Sequence, residues 1–404
     1  MSQAIRISRQ FSLRSVMEAI VQGGSVSRAS LSKQTGLSKQ TISEIMRQLQ
    51  DEGWVQETGR TSGHVGRTAV TYELVPSAAY IAAVDLGGTK VRVAICDLSS
   101  HVLAEVTEPT RAAGGLAVVE QIAQLCWQAA DKGGVPRDKL RIAVVGAPGA
   151  PQPETGRVLL APNIAGFDQM DVAGALESAL GFEAMLENDV NLAVLGESWL
   201  GVGQGVDDLA FIALGTGVGS GLMLNGQLVR GAGNAAGELG FLPFGADPYE
   251  AESLRAGAFE RVVASHGIIG RYRDAVGHDA TVPAIFEKAN AGDADAIKVL
   301  DDTARYLARG IGAMAAMANP QKVILGGSIG SRPELVERIR HVLPLCFPYP
   351  VEVEASVLGN HAALVGAAAI GLSHLHNTLF GTETPEARIS LPPANAALMR
   401  EVLK

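Results

Sequence analysis

Tyr80-Ile-Ala-Ala-Val84, Asp85-Leu-Gly-Gly-Thr-Lys90 and the run from Val91 to Cys96 read as strand, turn and strand, and this unit decides the fold. An unbroken apolar run predicts a strand buried on both faces, and the small residues after it predict a tight reversal. The same unit recurs about 130 residues later, as Leu209-Ala-Phe-Ile-Ala-Leu214, Gly215-Thr-Gly-Val-Gly-Ser-Gly221 and Leu222-Met-Leu224. Two copies predict an internally duplicated α/β fold. A third glycine-rich step, Val323-Ile-Leu-Gly-Gly-Ser-Ile-Gly330, follows another apolar strand. Glycines in such turns let backbone N–H groups approach an anion closely, as a phosphate loop requires. One turn of this kind says little, because most glycine-rich hairpins are structural. Three in this order, the first opened by Asp85 and the second carrying the hydroxyl of Thr216, are far more specific.

Between the copies, Ala147-Pro-Gly149 and Ala161-Pro-Asn-Ile-Ala-Gly-Phe167 read as loops able to line a ligand. Glu187-Asn-Asp-Val-Asn191 follows a predicted strand from Glu183 to Leu186 and precedes a helix. Four hydrogen-bonding side chains at the carboxyl end of a strand suit a polyhydroxylated ligand. Helix capping by Asn188 or Asp189 accounts for one of the four. An aspartate there is also placed to take a proton from a sugar hydroxyl during phosphoryl transfer.

Upstream the pattern is helical. Leu13, Val16, Met17 and Ile20 fall on one helical face, and Gly23-Gly24 ends that helix. Ser27 and Ser38 are good N-caps for two further helices, the first ending near Gly36 and the second running to about Gln50. In the third helix Ile42, Ile45, Met46 and Leu49 repeat the buried spacing. Its opposite face carries Lys39, Gln40, Ser43 and Arg47, with Ser38 and Thr41 in the first turn. A helix-turn-helix with a groove-entering second helix is predicted. Trp54 to Glu57, a turn-rich stretch and the strand-like Ala69 to Leu74 add a β-hairpin wing, with Arg60, His64 and Arg67 at or near its tip. Lys39, Gln40, Ser43 and Arg47 are expected to meet bases and phosphates, and Arg60 and Arg67 the backbone or minor groove. Glu44 has two readings: acceptor for a cytosine amino group, or partner of Arg47.

Charge divides along the same line. Residues 1–75 hold nine Lys/Arg against six acids, so +3 sits there and −12 on the remainder of a chain whose net charge is −9. A basic head on an acidic body fits nucleic-acid binding by the head alone. At 404 residues, two or three domains are expected. No apolar run reaches the roughly 18 residues of a membrane span, and the N-terminus lacks the apolar core of a signal peptide. Cys96, Cys126 and Cys346 are widely spaced, which predicts reduced, packed thiols in a cytoplasmic protein.

These residues together resemble the ROK family (repressors, unassigned reading frames and sugar kinases), with its two-lobed, actin-like, duplicated ribonuclease H-like ATPase fold. The resemblance runs from the helix-turn-helix to about residue 375. It implies a winged helix-turn-helix over 1–76, a first lobe over 77–200, a second over 201–375 and an extension over 376–404. It further implies nucleotide contacts from Asp85, Gly87, Gly88, Thr89 and Lys90, and from Gly215, Thr216 and Gly217, with Gly326 and Gly327 bordering the adenosine. Sugar hydroxyls fall to Asn163, Asn188 and Glu238, and the general base of a kinase to Asp189, which also faces the sugar. One departure stands out. The family places a His after Gly-Glu-Leu-Gly and then a C-x-C-G-x-x-G-C zinc loop, whereas Phe241 stands at the His position and Leu242 to Leu254 contain neither Cys nor His. No zinc is therefore expected, and His266 and His361 are candidates to replace the lost His by proximity in sequence only, with surface or core roles as the alternative for both.

Two functions follow from this reading. The first is a sugar-responsive repressor of carbohydrate genes, in which a sugar or sugar derivative bound between the lobes alters the operator affinity of a homodimer or homotetramer, with no cofactor needed for DNA binding. The second is an ATP- and Mg-dependent sugar kinase, for which the Asp85 and Gly215 turns and Asp189 speak. The missing His and zinc loop and the complete DNA-binding head favour the regulator.

Overall fold

The computed structural model describes residues 3–61, 69–161 and 164–380. They form two compact units, each discontinuous in sequence: 1–145 with 164–186 and 367–404, and 146–163 with 187–366.

The first unit begins with the head. Helix α1 (Gln3–Gly23) is followed by the short strand β1 (Val26–Ser27), α2 (Arg28–Thr35) and α3 (Lys39–Asp51). Strands β2 (Val55–Thr61) and β3 (Ala69–Leu74) form an antiparallel hairpin, to which β1 adds through Val26 and Ser27. The caps do what the sequence requires. The side chains of Ser27 and Ser38 accept from the backbone N–H of Ser30 and Thr41, and Gly36 closes α2 in the left-handed conformation at φ +72°. Each serine cap contributes about 1 kcal/mol, and glycine at φ +72° avoids a Cβ clash. Val16, Met17, Ile20, Leu31, Ile42, Ile45, Met46 and Leu49 are buried as one small core, and Leu13 lies at its half-buried edge.

The remainder of that unit holds β4 (Tyr80–Leu86), β5 (Lys90–Asp97), β6 (Val102–Pro109), α4 (Gly115–Lys132) and β7 (Leu140–Ala147). The two-residue strands β8 (Ala150–Pro151) and β9 (Val158–Leu159) belong to the second unit, and α5 (Val172–Leu180) and β10 (Glu183–Asn188), the latter up to Leu186, belong again to the first. The sheet order is β10-β7-β4-β5-β6.

The second unit continues with α6 (Asp189–Leu200), β11 (Leu209–Leu214), β12 (Val218–Leu224) and β13 (Gln227–Leu228). Helices α7 (Ala251–Ala256), α8 (Glu260–Val263), α9 (Ser265–Val276), α10 (Val282–Asn290) and α11 (Ala294–Ala318) follow. Strand β14 (Lys322–Gly326), α12 (Gly327–Gly330), α13 (Pro333–Cys346) and β15 (Glu352–Ala355) follow, and α14 (Ala362–Phe380), whose residues from 367 on belong to the first unit, completes the described chain. Its sheet runs β13-β12-β11-β14-β15, with β11 antiparallel to β12 and parallel to β14. In both sheets the first strand lies central, the second and third stack on one side and the fourth and fifth on the other. That shared order is the duplication expected from the two strand–turn–strand repeats.

One expectation needs correction. The second glycine-rich turn is shorter than Gly215–Gly221, because β12 already begins at Val218 and pairs Gly219 and Gly221 with Ala213 and Phe211. These two glycines serve packing. A Cβ on Gly221 would stand 2.5 Å from the Val190 carbonyl oxygen, and one on Gly219 3.2 Å from the Val190 side chain. Small residues here let α6 lie directly against the strand. Two further glycines repeat the device where α6 meets the start of α14, with hypothetical Cβ atoms 2.2 Å from the Ala362 oxygen at Gly196 and 1.9 Å from the Leu192 oxygen at Gly366.

Cys96 and Cys126 are buried free thiols, whose pKa burial pushes up to about 12. Cys346 is exposed at the end of α13, so the expectation of three packed thiols holds for two. No helix among the described residues is long and apolar enough to cross a membrane.

Candidate nucleic-acid interface and polar ligand site

Amphipathic spacing fixes which side chains of α3 reach solvent. With Ile42, Ile45, Met46 and Leu49 turned into the core, Lys39, Gln40, Glu44 and Arg47 are exposed on the other face. Ser38 and Thr41 form a capping pair, with hydroxyls 2.9 Å apart. Ser43 Oγ donates to the Lys39 carbonyl at 2.8 Å, which leaves its lone pairs to accept from a ligand. Glu44 accepts from Gln40 Nε2 at 3.2 Å. Arg28 belongs to the scaffold: its guanidinium lies 5.0 Å from the Tyr72 ring centroid and donates to Gln50. Strands β2 and β3 build the wing as predicted, paired from Val55–Leu74 to Thr61–Ala69. His64 and Arg67 lie outside the described residues, and of Arg60 only the backbone is described. Exposed cations on a capped helix that presents its first turns suit phosphate and base-edge contact.

In the second unit, the end of β10 and the start of α6 gather the polar cluster. Asn188 caps α6, its Oδ1 accepting from the N–H of Val190 and Asn191, while its Nδ2 donates to the Gly149 carbonyl at 2.7 Å. That leaves the Asn188 amide one N–H with which to hold a ligand. Gly149 sits at φ +104° with its Cα close against the Leu159 carbonyl, a position only glycine fills without strain. Asp189, half-buried, stands in the first turn of α6 and accepts from the Val190 N–H. Negative charge is favoured there by the helix dipole.

Glu187, expected as one of the four hydrogen-bonding side chains at the end of this strand, is the organising group of the cluster. It is buried, and its Oε1 accepts from the Asn188 N–H at 2.9 Å and from Asn191 Nδ2 at 3.0 Å. Its Oε2 accepts from Arg230 Nε at 2.8 Å. The segment after β13 is stitched in twice more, by Asn234 Nδ2 to the Pro151 carbonyl and by Gln152 Nε2 to the Gly233 carbonyl. Gly237, at φ +90°, lies so close to the Ser220 carbonyl that a Cβ would be 2.3 Å away, and it delivers Glu238.

Glu238 is half-buried, and burial pushes its carboxyl above the usual range, reinforced by the negative charge of Glu260. Glu260 is raised too, chiefly by burial, against which the Val218 N–H and Arg255 act. Its Oε2 accepts from the Val218 N–H at 2.9 Å, at the end of the Gly215-Thr216-Gly217 turn. Within that turn Gly215 N–H donates to the Gly217 carbonyl, and Thr216 is exposed. Sequence reading missed Glu260, although an acid between the buried Phe259 and Val263 was the available signal. Asn163, predicted to hold sugar, lies outside the described residues. His266 is exposed on α9. Phe241 follows Glu238 in the 3-10 turn Leu239–Phe241 and is exposed. Among the described residues no group of three His, Cys, Asp or Glu is placed to hold a metal.

The remaining glycine turns are described each in its own unit. In the first unit, Gly87 N–H donates to the Lys90 carbonyl, and Thr110 holds the turn through its hydroxyl on the Gly87 carbonyl at 2.7 Å. Gly88, Thr89 and Lys90 are exposed. Behind them the buried Arg92 lies 3.7 Å from Asp85 and 3.3 Å from Glu105. In the second unit, Gly326 faces the Phe211 ring, and Gly327, at φ +78°, packs on the Leu214 carbonyl. The predicted sites thus fall into three groups, on the head, on the first unit's turn and in the second unit's carboxylate-rich cluster.

The comparison with known proteins agrees with this geometry. Residues 81–373 match the ROK family, and residues 12–56 a winged helix-turn-helix DNA-binding module. The chain belongs to the ROK family. Similar proteins include a glucokinase of Halalkalibacterium halodurans, 29% identical, covering 74% of this chain and 97% of the enzyme. A xylose repressor of Caldicellulosiruptor bescii is 26% identical and covers 89% of this chain and 95% of the repressor. Among solved structures, a ROK family transcriptional regulator described as a homolog of the E. coli MLC protein superposes with a TM-score of 0.76 at 22% identity. It covers 92% of this chain and 98% of that one. Nearly the whole kinase is thus matched by three quarters of this ROK protein, whereas the repressor match covers 89% of it and so extends into the head.

Proposed function

We propose that this ROK protein is a sugar-responsive transcriptional repressor of carbohydrate-metabolism genes. The observation that carries this reading is the joining of a winged helix-turn-helix to a ROK body in one chain, along which a xylose repressor aligns over 89% of the length. The head supplies Lys39, Gln40, Ser43 and Arg47, with Arg60 and Arg67 of the wing, to an operator.

The second unit supplies the sugar site. Asn188, Asp189 and Glu238, with Asn163, offer acceptors and donors to hydroxyl groups, and Glu187 and Arg230 hold that set in place. A site built to hydrogen-bond hydroxyls rejects analogues lacking them, because its buried polar groups are left unpaired. Sugar binding changes operator affinity to the extent that it prefers one arrangement of the protein over the other. A 100-fold preference changes operator affinity at most 100-fold, about 2.7 kcal/mol. As a homodimer or homotetramer the protein recognises an operator with dyad symmetry. DNA binding needs no cofactor, and no zinc is required.

Retention of Asp189 and of the Asp85 and Gly215 turns favours a second reading, an ATP- and Mg-dependent sugar kinase in which Asp189 takes the hydroxyl proton. Gly326 and Gly327 border the adenosine in that reading. One pair of assays separates the two on wild type and Asp189→Ala. The repressor reading expects sugar-dependent operator binding without ATP turnover. ATP turnover in wild type that Asp189→Ala abolishes, with operator binding indifferent to sugar, overturns it.

A further inference from the structure

Between the turn that carries Glu238 and the helix that carries Glu260, the chain makes an excursion through α7. One arginine spans it. Arg261 Nη1 donates to Glu250 Oε2 at 2.5 Å and to Ser253 Oγ at 2.6 Å. Three quarters of the Arg261 side chain is buried, and Ser253 is buried almost completely. Charge-assisted bonds of this length from one shielded guanidinium to two partners are strong and geometrically demanding.

Direct contacts lead from this clasp to Glu238 and Glu260. Ser253 accepts through its carbonyl from the Gly257 N–H, and Arg261 N–H donates to the Gly257 carbonyl. Gly257, at φ +87°, is seated so tightly that a Cβ would lie 2.2 Å from the Gly240 oxygen, and Phe259 N–H donates to that same oxygen. Gly240 belongs to the turn that begins just after Glu238. On the other side, Arg261 directly follows Glu260, whose carboxylate holds the Val218 N–H.

We infer that Arg261 is a positioning residue for the sugar site: its clasp on Glu250 and Ser253 sets the excursion against Gly240 and so fixes Glu238 and Glu260. This inference rests on the second unit being the effector site, and it adds the cross-link on which that site's geometry depends. Arg261 itself touches neither carboxylate, and Arg255, the neighbouring cation, is occupied by Glu252 at 2.6 Å.

The test uses the full-length protein as wild type, Arg261→Ala, Arg261→Lys and Glu250→Gln, and measures amide hydrogen exchange without ligand. In Arg261→Ala, exchange should rise about 10-fold or more at Val218 and over Leu239–Phe241, with Lys39–Asp51 unchanged. Arg261→Lys should restore most of the protection through a single charged donor, and Glu250→Gln should give an intermediate rise. Acceleration confined to 247–257, with Val218 and the Glu238 turn as in wild type, overturns the inference. Should Arg261→Ala unfold, the Glu250→Gln exchange pattern decides alone. The same variants are then titrated with D-glucose, D-xylose and N-acetyl-D-glucosamine against operator DNA. For whichever sugar acts on wild type, Arg261→Ala should raise the half-maximal concentration about 10-fold without altering sugar-free operator affinity. A wild type indifferent to every sugar counts against the effector reading, while the exchange result still decides the role of Arg261.

Discussion

Replacing Gly221 with alanine should disable the sugar response and spare the DNA-binding head. The new Cβ would lie 2.5 Å from the Val190 carbonyl oxygen, 3.0 Å from its carbon and 3.1 Å from Val194 Cγ1. The oxygen belongs to the backbone of α6 and has no rotamer to change. Restoring ordinary contact at 3.4 Å requires β12 and α6 to separate by about 0.9 Å. Forcing a methyl into such packing costs about 1–3 kcal/mol. The displaced end of α6 is the one that carries Asn188 and Asp189. A misplacement of about 1 Å in a preorganised site costs up to about 100-fold. Calorimetric titration with the active sugar should show affinity falling 10- to 100-fold, with sugar-free operator affinity within about 2-fold of wild type. Gly270→Ala is the control: it lies inside α9 with only the tip of Arg273 within 4 Å, so alanine should stabilise by roughly 1 kcal/mol. Wild-type sugar affinity and melting temperature in Gly221→Ala would refute the packing account of β12 and α6.

Other expectations follow from single interactions. A double-mutant cycle on Glu187→Gln and Arg230→Ala should give a coupling of about 1–2 kcal/mol in denaturant unfolding. That lies below a fully buried pair because Arg230 is 44% exposed; a coupling under about 0.3 kcal/mol contradicts the organising role of Glu187. Glu260→Gln should raise the melting temperature at pH 7, since burial lifts the folded-state pKa of Glu260 and of its neighbour Glu238 above the ordinary value. A raised carboxyl favours the folded state when protonated, so wild-type stability should fall as pH rises through the folded pKa, and the variant should lose part of that slope. Ser38→Ala should cost about 1 kcal/mol of head stability, because the Thr41 N–H then has no cap, read by thermal unfolding. Arg47→Ala should reduce the salt dependence of operator binding by about 0.9 per head for each phosphate that the arginine neutralises; an unchanged slope excludes such a role. A chelator should leave both the melting temperature and operator binding unchanged.

Local chemistry made the head legible from sequence. Ser27, Gly36 and Ser38 each have one structural use at a helix end, and the 3.6-residue spacing from Ile42 to Leu49 leaves one choice of buried face. The duplicated sheets were legible for a similar reason, because apolar strand runs and glycine turns recur in the same order. Legibility failed where a residue's use depends on a partner far along the chain. Gly219 and Gly221 look like loop glycines until α6 is seen to lie on them. Arg230 lies 43 residues from Glu187, and Glu260 is 42 residues from Val218. Nothing local distinguishes Arg230 from a surface charge, and Glu260 is marked only by the apolar Phe259 and Val263 on either side of it. Asn188 shows the converse: its capping role is visible locally, but the bond to Gly149 that occupies its amide comes from a loop 39 residues earlier.

Operator binding and the sugar response of this one chain are measured together by fluorescence anisotropy of the full-length protein on DNA from its own upstream region, titrated with monosaccharides and their phosphates. A sugar-responsive repressor forms a salt-sensitive, saturable complex whose affinity one sugar changes by 10-fold or more. Tight DNA binding indifferent to every sugar would contradict that function.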